Sequence, residues 1–294
     1  MKSYLLVVVS GIFLGIISFL KRILQNHFSD TFIATSRLFL ASVFLLIILL
    51  ATHRKKEIRI TREEIVPLAI IGIAIALSFY FYFLSISRLP FFVAVTLIFT
   101  TPFFSVILES LMEKIHVGKK VIIGMALLFI GVGIFFYENT LEPLSDLLGI
   151  VFGLVGALCS AFANEQIKFE ERRHSVFKIT LWSLFFGFMF LAPLLHAEGI
   201  AATRVDLLSL YAIGIIGFLT AITFILFDYS LAYHEPHVSS AIHNSSAFLT
   251  SFLLSTLVLF ENISLGKIAG ALLIITANII INRYSHTSHK LHRI

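Results

Sequence analysis

Charged side chains are scarce in this sequence. Lys, Arg, Asp and Glu together make up 13% of its 294 residues, whereas soluble domains carry about 25%. Apolar residues make up 58%, which excludes a water-soluble domain because too little polar surface remains to cover such a core. The formal net charge of +5 could suggest a nucleic-acid partner, but the apolar content and the placement of the charges argue against one. The single cysteine, Cys159, excludes an intrachain disulfide.

Motifs of nucleotide-driven pumps and of common hydrolases are also absent from the sequence. It has no GxxxxGK[ST] loop, no GxSxG and no HExxH, so we expect neither an enzyme nor a bound cofactor. A membrane-embedded enzyme would need converging catalytic groups, and only two histidine groups come close. We expect no metal site in either group. Pro236 separates His234 from His237, and the histidines of the basic tail 285–294 suit a solvated segment near anionic headgroups.

Long apolar segments fill the chain instead. A helix of about 20 apolar residues spans the hydrocarbon core of a bilayer, and helices are the only open-chain structures that satisfy every backbone group there. The sequence therefore predicts an all-α membrane protein with ten transmembrane helices. The predicted spans are 4–23, 32–51, 66–87, 91–111, 121–137, 147–164, 177–195, 207–228, 239–260 and 267–282.

The basic residues predict the orientation of these spans. With the N-terminus inside, sixteen Lys and Arg residues fall on the inner side and five on the outer side, while Arg37 lies within a span. Cytoplasmic loops carry the excess of Lys and Arg, so both termini are predicted to face the cytoplasm. The connection 138–146 has three acidic residues and no base, which suits the outer side. We expect a multi-pass protein of the cytoplasmic (inner) membrane.

The second half of the chain repeats features of the first half at an offset of 146 residues. The GxxxG pairs, expected to pack helices closely, also fall on corresponding helices. Because each unit has five spans, an odd number, the second unit is predicted to lie inverted relative to the first, as in many secondary transporters. The matching pairs are Pro90 with Pro236, Ser105 with Ser251 and Gly124 with Gly270, and the GxxxG pairs are Gly11 with Gly15 and Gly149 with Gly153.

Several segments resemble the EamA-like branch of the drug/metabolite transporter superfamily. They are SRLFLA with Arg37, TTPFFSVILESLMEKI, GMALLFIGVGIFF, FLLSTLVLFENIS with Glu261, and GKIAGALLII. The resemblance covers two units, about 1–138 and 147–284. It departs from the family pattern at Phe248, where the family has proline, and Glu113 stands two residues out of register with Glu261. The resemblance implies movement of small organic solutes, often outward.

We therefore expect a secondary transporter that moves a small organic metabolite or drug by alternating access, with export favoured by the resemblance. With no nucleotide site, a proton or solute gradient would supply the energy. Its partners would be the small-molecule substrate and the lipid bilayer. A flippase for a lipid-linked substrate on the same fold is the alternative, and it predicts a lateral opening to lipid and an amphiphilic substrate.

Ionisable and amide side chains inside spans are candidates for substrate binding because their burial in lipid is costly. Arg37 could bind an anionic group in an aqueous cavity or snorkel to the headgroups. Lys21 could reach the cavity or anchor the first helix at the interface. His243 and Asn244 in the ninth span, and Asn164 in the sixth, could bind substrate or form hydrogen bonds that join helices.

Four hydroxyl side chains complete the candidates. Tyr80 lies in an aromatic segment of the third span, and Tyr229 stands at the position of the second unit that is equivalent to Phe83. Thr96 and Thr100 share a face of the fourth span. Packing explains the tyrosines equally well, and threonine often bonds to its own backbone. Two acids, Glu109 and Asp228, lie at span ends, so we expect them at the membrane interface.

Overall fold

A computed structural model describes residues 2–89, 91–113, 119–137, 143–198, 207–258 and parts of 264–280. Throughout these ranges the chain is almost entirely helical. The helices of the first half are α1 (Lys2–Leu24), α2 (Asp30–Ala51), α3 (Lys55–Ile58), α4 (Arg62–Arg88), α5 (Phe91–Leu97), α6 (Thr101–Glu113) and α7 (Lys119–Tyr137). Those of the second half are α8 (Pro143–Glu170), α9 (Val176–Glu198), α10 (Leu207–Leu231) and α11 (Pro236–Val258).

Among the described residues, eight helical segments are long and apolar enough to cross a membrane, so the chain is a multi-pass membrane protein. Seven of them are single helices. The eighth corresponds to the predicted fourth span, which a single turn of 3₁₀-helix at Ile98–Thr100 divides into α5 and α6. The predicted fifth span is the 19-residue helix α7. Part of the predicted tenth span lies outside the described residues, so ten spans stay a prediction.

Capping residues determine where two of the membrane helices begin. Ser29 precedes α2, and its hydroxyl accepts a hydrogen bond from the backbone N–H of Phe32 at 3.2 Å. Ser175 precedes α9 and accepts one from the backbone N–H of Lys178 at 3.3 Å. Such caps satisfy amides that the first turn of a helix leaves unpaired. The two caps stand 146 residues apart, the same offset that relates the matching sequence pairs.

Glycines permit the closest helix crossings. A Cβ at Gly11 would lie 2.3 Å from the carbonyl oxygen of His243, and one at Gly15 would lie 2.6 Å from that of Ala247. The first GxxxG pair therefore brings α1 against α11, as small residues do between membrane helices. The second pair brings α8 against α5, since a Cβ at Gly153 would lie 2.4 Å from the side chain of Leu97. Both pairs are packing features, as the sequence predicts.

Candidate functional site

A cavity lies among helices of both halves near the middle of the bundle. It holds about 60 Å³ of space for the centres of water-sized molecules, and its total empty space is about 640 Å³ when the open space at its mouth is included. The first half contributes Leu14, Arg37, Ile75, Ser78, Phe79, Tyr82, Ile98 and Thr101 to its lining. The second half contributes Ser160, Ala163, Asn164, Thr223, Phe224, Phe227, Ser240, His243 and Asn244.

Arg37 is the charged group of this lining, and only 1% of its surface is exposed. The snorkelling alternative is therefore wrong, because the side chain turns into the protein. Its Nε donates a hydrogen bond to the hydroxyl of Thr220 on α10 at 2.8 Å. The guanidinium carbon lies 3.8 Å from the centre of the Phe79 ring, a cation–π contact. Within the described residues, Nη1 and Nη2 have no hydrogen-bond partner.

His243 and Asn244 also lie at the cavity, on adjacent positions of α11. The Nδ1 atom of His243 lies 2.8 Å from the hydroxyl of Ser10, and its ring centre lies 4.7 Å from that of Phe227. Asn244 donates from Nδ2 to the carbonyl oxygen of Ile98 at 3.0 Å. These bonds join α11 to α1 and to the 3₁₀ turn, so the two residues connect helices as well as lining the cavity.

Asn164 reaches the cavity from α8, where its Nδ2 donates to the hydroxyl of Ser240 at 3.0 Å. Lys21, by contrast, lies outside the cavity at the far end of α1. It pairs with Asp30 at 3.0 Å and donates to the hydroxyl of Ser87 at 2.7 Å. Lys21 therefore joins α1 to the start of α2 and the end of α4. It is not among the residues that line the cavity.

The four hydroxyl candidates do not line the cavity. Thr100 donates to the carbonyl oxygen of Leu97 at 2.7 Å, the backbone bond offered as its alternative. Tyr229 is 41% exposed, and its hydroxyl lies 3.0 Å from that of Tyr233. Thr96 is buried and Tyr80 is half-buried, both away from the cavity lining. These four residues lie on the helices that the sequence predicts, but they are not on the faces that line the cavity.

The two acids expected at the membrane interface are buried instead. Glu109 is 8% exposed, and its Oε1 lies 2.7 Å from Nδ1 of His237 on α11. Asp228 is fully buried, and its Oδ2 accepts a hydrogen bond from Thr180 on α9 at 2.6 Å. The interface expectation is wrong because partners from distant parts of the sequence cover both carboxylates. His237 thus pairs with a carboxylate, and no metal-binding group was found among the described residues.

Sequence reasoning missed most of the aromatic lining, including Phe79, Phe224 and Phe227. A signal for it is present in the helical period of 3.6 residues. Ile75, Ser78, Phe79 and Tyr82 follow the i, i+3, i+4, i+7 spacing of one helix face. Thr220, Thr223, Phe224 and Phe227 on α10 follow the same spacing, because Arg37 and the cavity lie against a single face of that helix. Once the face of each helix that contacts Arg37 is known, this spacing identifies the other residues that line the cavity.

One titratable group outside the membrane spans is strongly perturbed. Glu171 follows α8 in the connection to α9. Burial, reinforced by the negative charge of Asp228, raises the pKa of its carboxyl from 4.5 to about 8, while Lys168 opposes the shift. Lys168 itself donates to the carbonyl oxygens of Leu231 and His234 at 2.5 and 3.1 Å. The C-terminal end of α10 is thus surrounded by a cation and two acids.

The sequence matches the model of a known protein family over most of its length. The sequence model of the EamA-like transporter family matches residues 1–137 and again residues 147–283. The chain belongs to the EamA-like transporter family. The family resemblance found in the sequence is thereby confirmed, and so is the presence of two EamA domains. The family points to a membrane transporter and not to an enzyme.

Two individual proteins are similar to this EamA-like chain. An uncharacterized transporter of Archaeoglobus fulgidus is 30% identical over 141 residues, and the match spans 48% of each protein. The similarity thus reaches about half the length of that relative. A solved crystal structure of a protein matches with a TM-score of 0.71 at 14% identity, covering 99% of this chain and 98% of the other. At this identity the likeness shows the fold alone.

Proposed function

We propose that this EamA-like protein is a secondary transporter that moves a small organic metabolite or drug across the cytoplasmic membrane by alternating access, in the direction of export. The proposal also takes the chain as ten spans in two inverted repeats, 1–138 and 147–284, with the tail 285–294 in the cytoplasm. One observation carries it: a cavity in the middle of the bundle is lined by residues of both family domains. In transporters built from inverted repeats, the substrate site lies between the repeats near the bilayer midplane.

The contacts between loops support the predicted assignment of the connections to two opposite sides of the bundle. Connections assigned to the cytoplasmic side contact one another. Glu64 at the start of α4 pairs with Lys178 at the start of α9 at 2.7 Å, and Tyr4 stacks near His234 with ring centres 4.3 Å apart. On the side assigned to the outside, Arg22 donates to the carbonyl oxygen of Ile86 at 3.1 Å. None of these contacts joins residues assigned to opposite sides.

Polar pairs between the two halves are the contacts that would break and re-form during alternating access. Glu64 with Lys178 and Glu109 with His237 each join a residue of the first half to one of the second, at the end assigned to the cytoplasm. In the proposed cycle these pairs hold that end of the bundle together and separate when the site opens inward. A buried pair of this kind stabilises a state while remaining switchable, as two-state rearrangements require. A proton or solute gradient supplies the energy for the cycle.

Solute counterflow in liposomes tests the transport function. Vesicles holding the purified full-length protein are loaded with one metabolite at a time and assayed for uptake of its radiolabelled form. Ser160→Phe, on the cavity side of α8, should block exchange by filling the site. Leu158→Phe, on the same helix at a position 42% exposed, is the matched control and should leave exchange unchanged.

Counterflow that Ser160→Phe abolishes and Leu158→Phe spares would support the carrier. Equal exchange in wild type and Ser160→Phe would reject the central cavity as the pathway. Absence of exchange for every soluble solute, with movement of a fluorescent lipid-linked probe between leaflets, would favour the flippase alternative. In that case the transported group would cross with its lipid tail outside the cavity.

A further inference from the structure

We propose, on the basis of the proposed transport function, that the substrate is an organic monoanion: a carboxylate held by Arg37 and Thr223, attached to an apolar or aromatic body. The polar atoms that this cavity leaves without partners point to an anion. The aromatic side chains around them point to the body. Together they define a substrate class within the small organic solutes of the proposed carrier.

The charge of Arg37 has no counter-ion among the described residues. Every ion pair found there involves other side chains. A buried guanidinium without a counter-ion is strongly unfavourable, so the burial of Arg37 calls for a compensating negative charge. An anionic ligand that enters the cavity would supply the missing partner.

The geometry of the guanidinium leaves its donors available. The guanidinium carbon lies 3.8 Å from the centre of the Phe79 ring, and Thr220 accepts a hydrogen bond from Nε alone. Nη1 and Nη2 lie at the edge of the plane and have no partner. A pair of adjacent N–H donors is the fork that binds a carboxylate with two parallel hydrogen bonds. The cation–π contact with Phe79 uses neither of these two donors.

A second unpartnered group lines the same cavity. Thr223 lies about one helical turn after Thr220 on α10, and its hydroxyl is buried without a hydrogen-bond partner among the described residues. A hydroxyl donates well to a carboxylate oxygen. Most other polar groups of the lining already bond to each other or to the backbone, as Asn164 does with Ser240. The free donors are therefore concentrated beside Arg37.

The rest of the lining defines the other end of the substrate. Phe79, Tyr82, Phe224 and Phe227 contribute aromatic surface, which favours an apolar or ring-shaped body. Arg37 is the one Lys or Arg among the lining residues, so a single negative charge is matched and a dianion is not. This composition favours a carboxylate monoanion over a phosphate ester.

Binding of three probes that differ only in charge tests the inference. They are 3-phenylpropionate, its neutral amide and phenethylamine, titrated by calorimetry into the full-length protein in detergent. The acid should bind at least about tenfold more tightly than the amide, because charge-assisted hydrogen bonds are stronger than neutral ones. Arg37→Gln should remove this preference while amide binding stays within about twofold. Arg88→Gln, which removes a cation stacked on Phe152 outside the cavity, is the matched control.

Should Arg37→Gln fail to fold, Thr223→Val keeps the inference testable, since it removes one donor and should weaken the acid several-fold with little effect on the amide. The inference is overturned if acid and amide bind equally, if the acid does not bind, or if Arg37→Gln weakens both probes alike. Counterflow separates the two levels of the proposal. Exchange of neutral or cationic solutes without exchange of carboxylates would reject the anion and keep the carrier, whereas no exchange of any solute would reject both.

Discussion

The crossing of α1 and α11 at Gly11 yields a sharp prediction. A Cβ at this position would lie 2.3 Å from the carbonyl oxygen of His243 and 2.6 Å from the Cβ of Ser246, whereas ordinary contacts begin at 3.4 Å. Gly11→Ala must therefore push α11 away by about 1 Å. Because the nearest atom belongs to the backbone, no side-chain rotation can relieve the contact. The displaced segment carries His243 and Asn244, so the cavity wall moves with it.

The expected magnitude follows from a matched comparison. Gly214 on α10 has nothing within 4 Å of its would-be Cβ, so Gly214→Ala gains the same helix propensity, about 1 kcal/mol, without a clash. Overpacking costs about 1–3 kcal/mol, and a backbone contact places Gly11→Ala in the upper part of that range. The difference between the variants should thus be about 2–3 kcal/mol in the free energy of unfolding. At about 2–4 °C per kcal/mol, the melting temperatures should differ by about 4–12 °C.

Thermal unfolding of both variants in one detergent, followed by tryptophan fluorescence, measures the difference. Gly11→Ala should melt below wild type and Gly214→Ala at or above it. The Gly11→Ala variant should also lose counterflow at temperatures where it remains folded, since His243 is displaced. Equal melting temperatures for the two variants would refute the close crossing of α1 and α11.

Three further outcomes are expected. Folding raises the pKa of the Glu171 carboxyl from 4.5 to about 8, so the folded state binds this proton more tightly than the unfolded state. The resulting stabilisation is complete below pH 4.5 and is lost as the pH rises through 8. Glu171→Gln should therefore reduce the change in melting temperature between about pH 5 and pH 9. Glu109→Leu and His237→Phe should each cost about 1.5–3 kcal/mol, and the double variant should cost less than their sum in a double-mutant cycle, whereas additive costs would contradict the pair. In a Cys159→Ser background, a membrane-impermeant maleimide applied to intact cells should label Asn26→Cys and spare Lys55→Cys; the reverse pattern would invert the predicted orientation.

The spans were predictable because their signal is local. Uninterrupted apolar length determines whether a segment can cross a bilayer, and it placed most helix centres correctly. The sequence also singled out Arg37, since a charge inside a span is costly wherever the helix faces. The break at Ile98–Thr100 was not predicted, because a 3₁₀ turn in an apolar helix leaves no mark in composition.

Side-chain direction was the part that sequence could not supply. Tyr80 and Tyr82 are two residues apart, and only Tyr82 lines the cavity, because successive positions on a helix turn by about 100°. Glu109 and Asp228 looked exposed from their place at span ends, yet both are buried against other helices. Their partners are 128 and 48 residues away in sequence. Burial of a group by such distant neighbours has no local signature.

The two halves share one kind of contact between a lysine and a helix carbonyl. Lys21 near the end of α1 donates to the carbonyl oxygen of Phe83 on α4, and Lys168 near the end of α8 donates to that of Leu231, the last residue of α10. The contact at Leu231 satisfies a carbonyl at a helix C-terminus.

Some lining positions repeat at the offset of 146 residues, namely Leu14 with Ser160, Ser78 with Phe224 and Ile98 with Asn244, but their side chains differ. The residue 146 positions after Arg37 is Ser183, and Asn244 stands 146 positions after Ile98, to whose carbonyl oxygen it donates. The proposed anion site is therefore single, and its donors come from both halves, Arg37 from the first and Thr223 from the second. Rocking of the halves would change the separation of these donors. Carboxylate affinity should consequently differ between the outward- and inward-facing states, which is the differential binding by which a ligand shifts a two-state equilibrium.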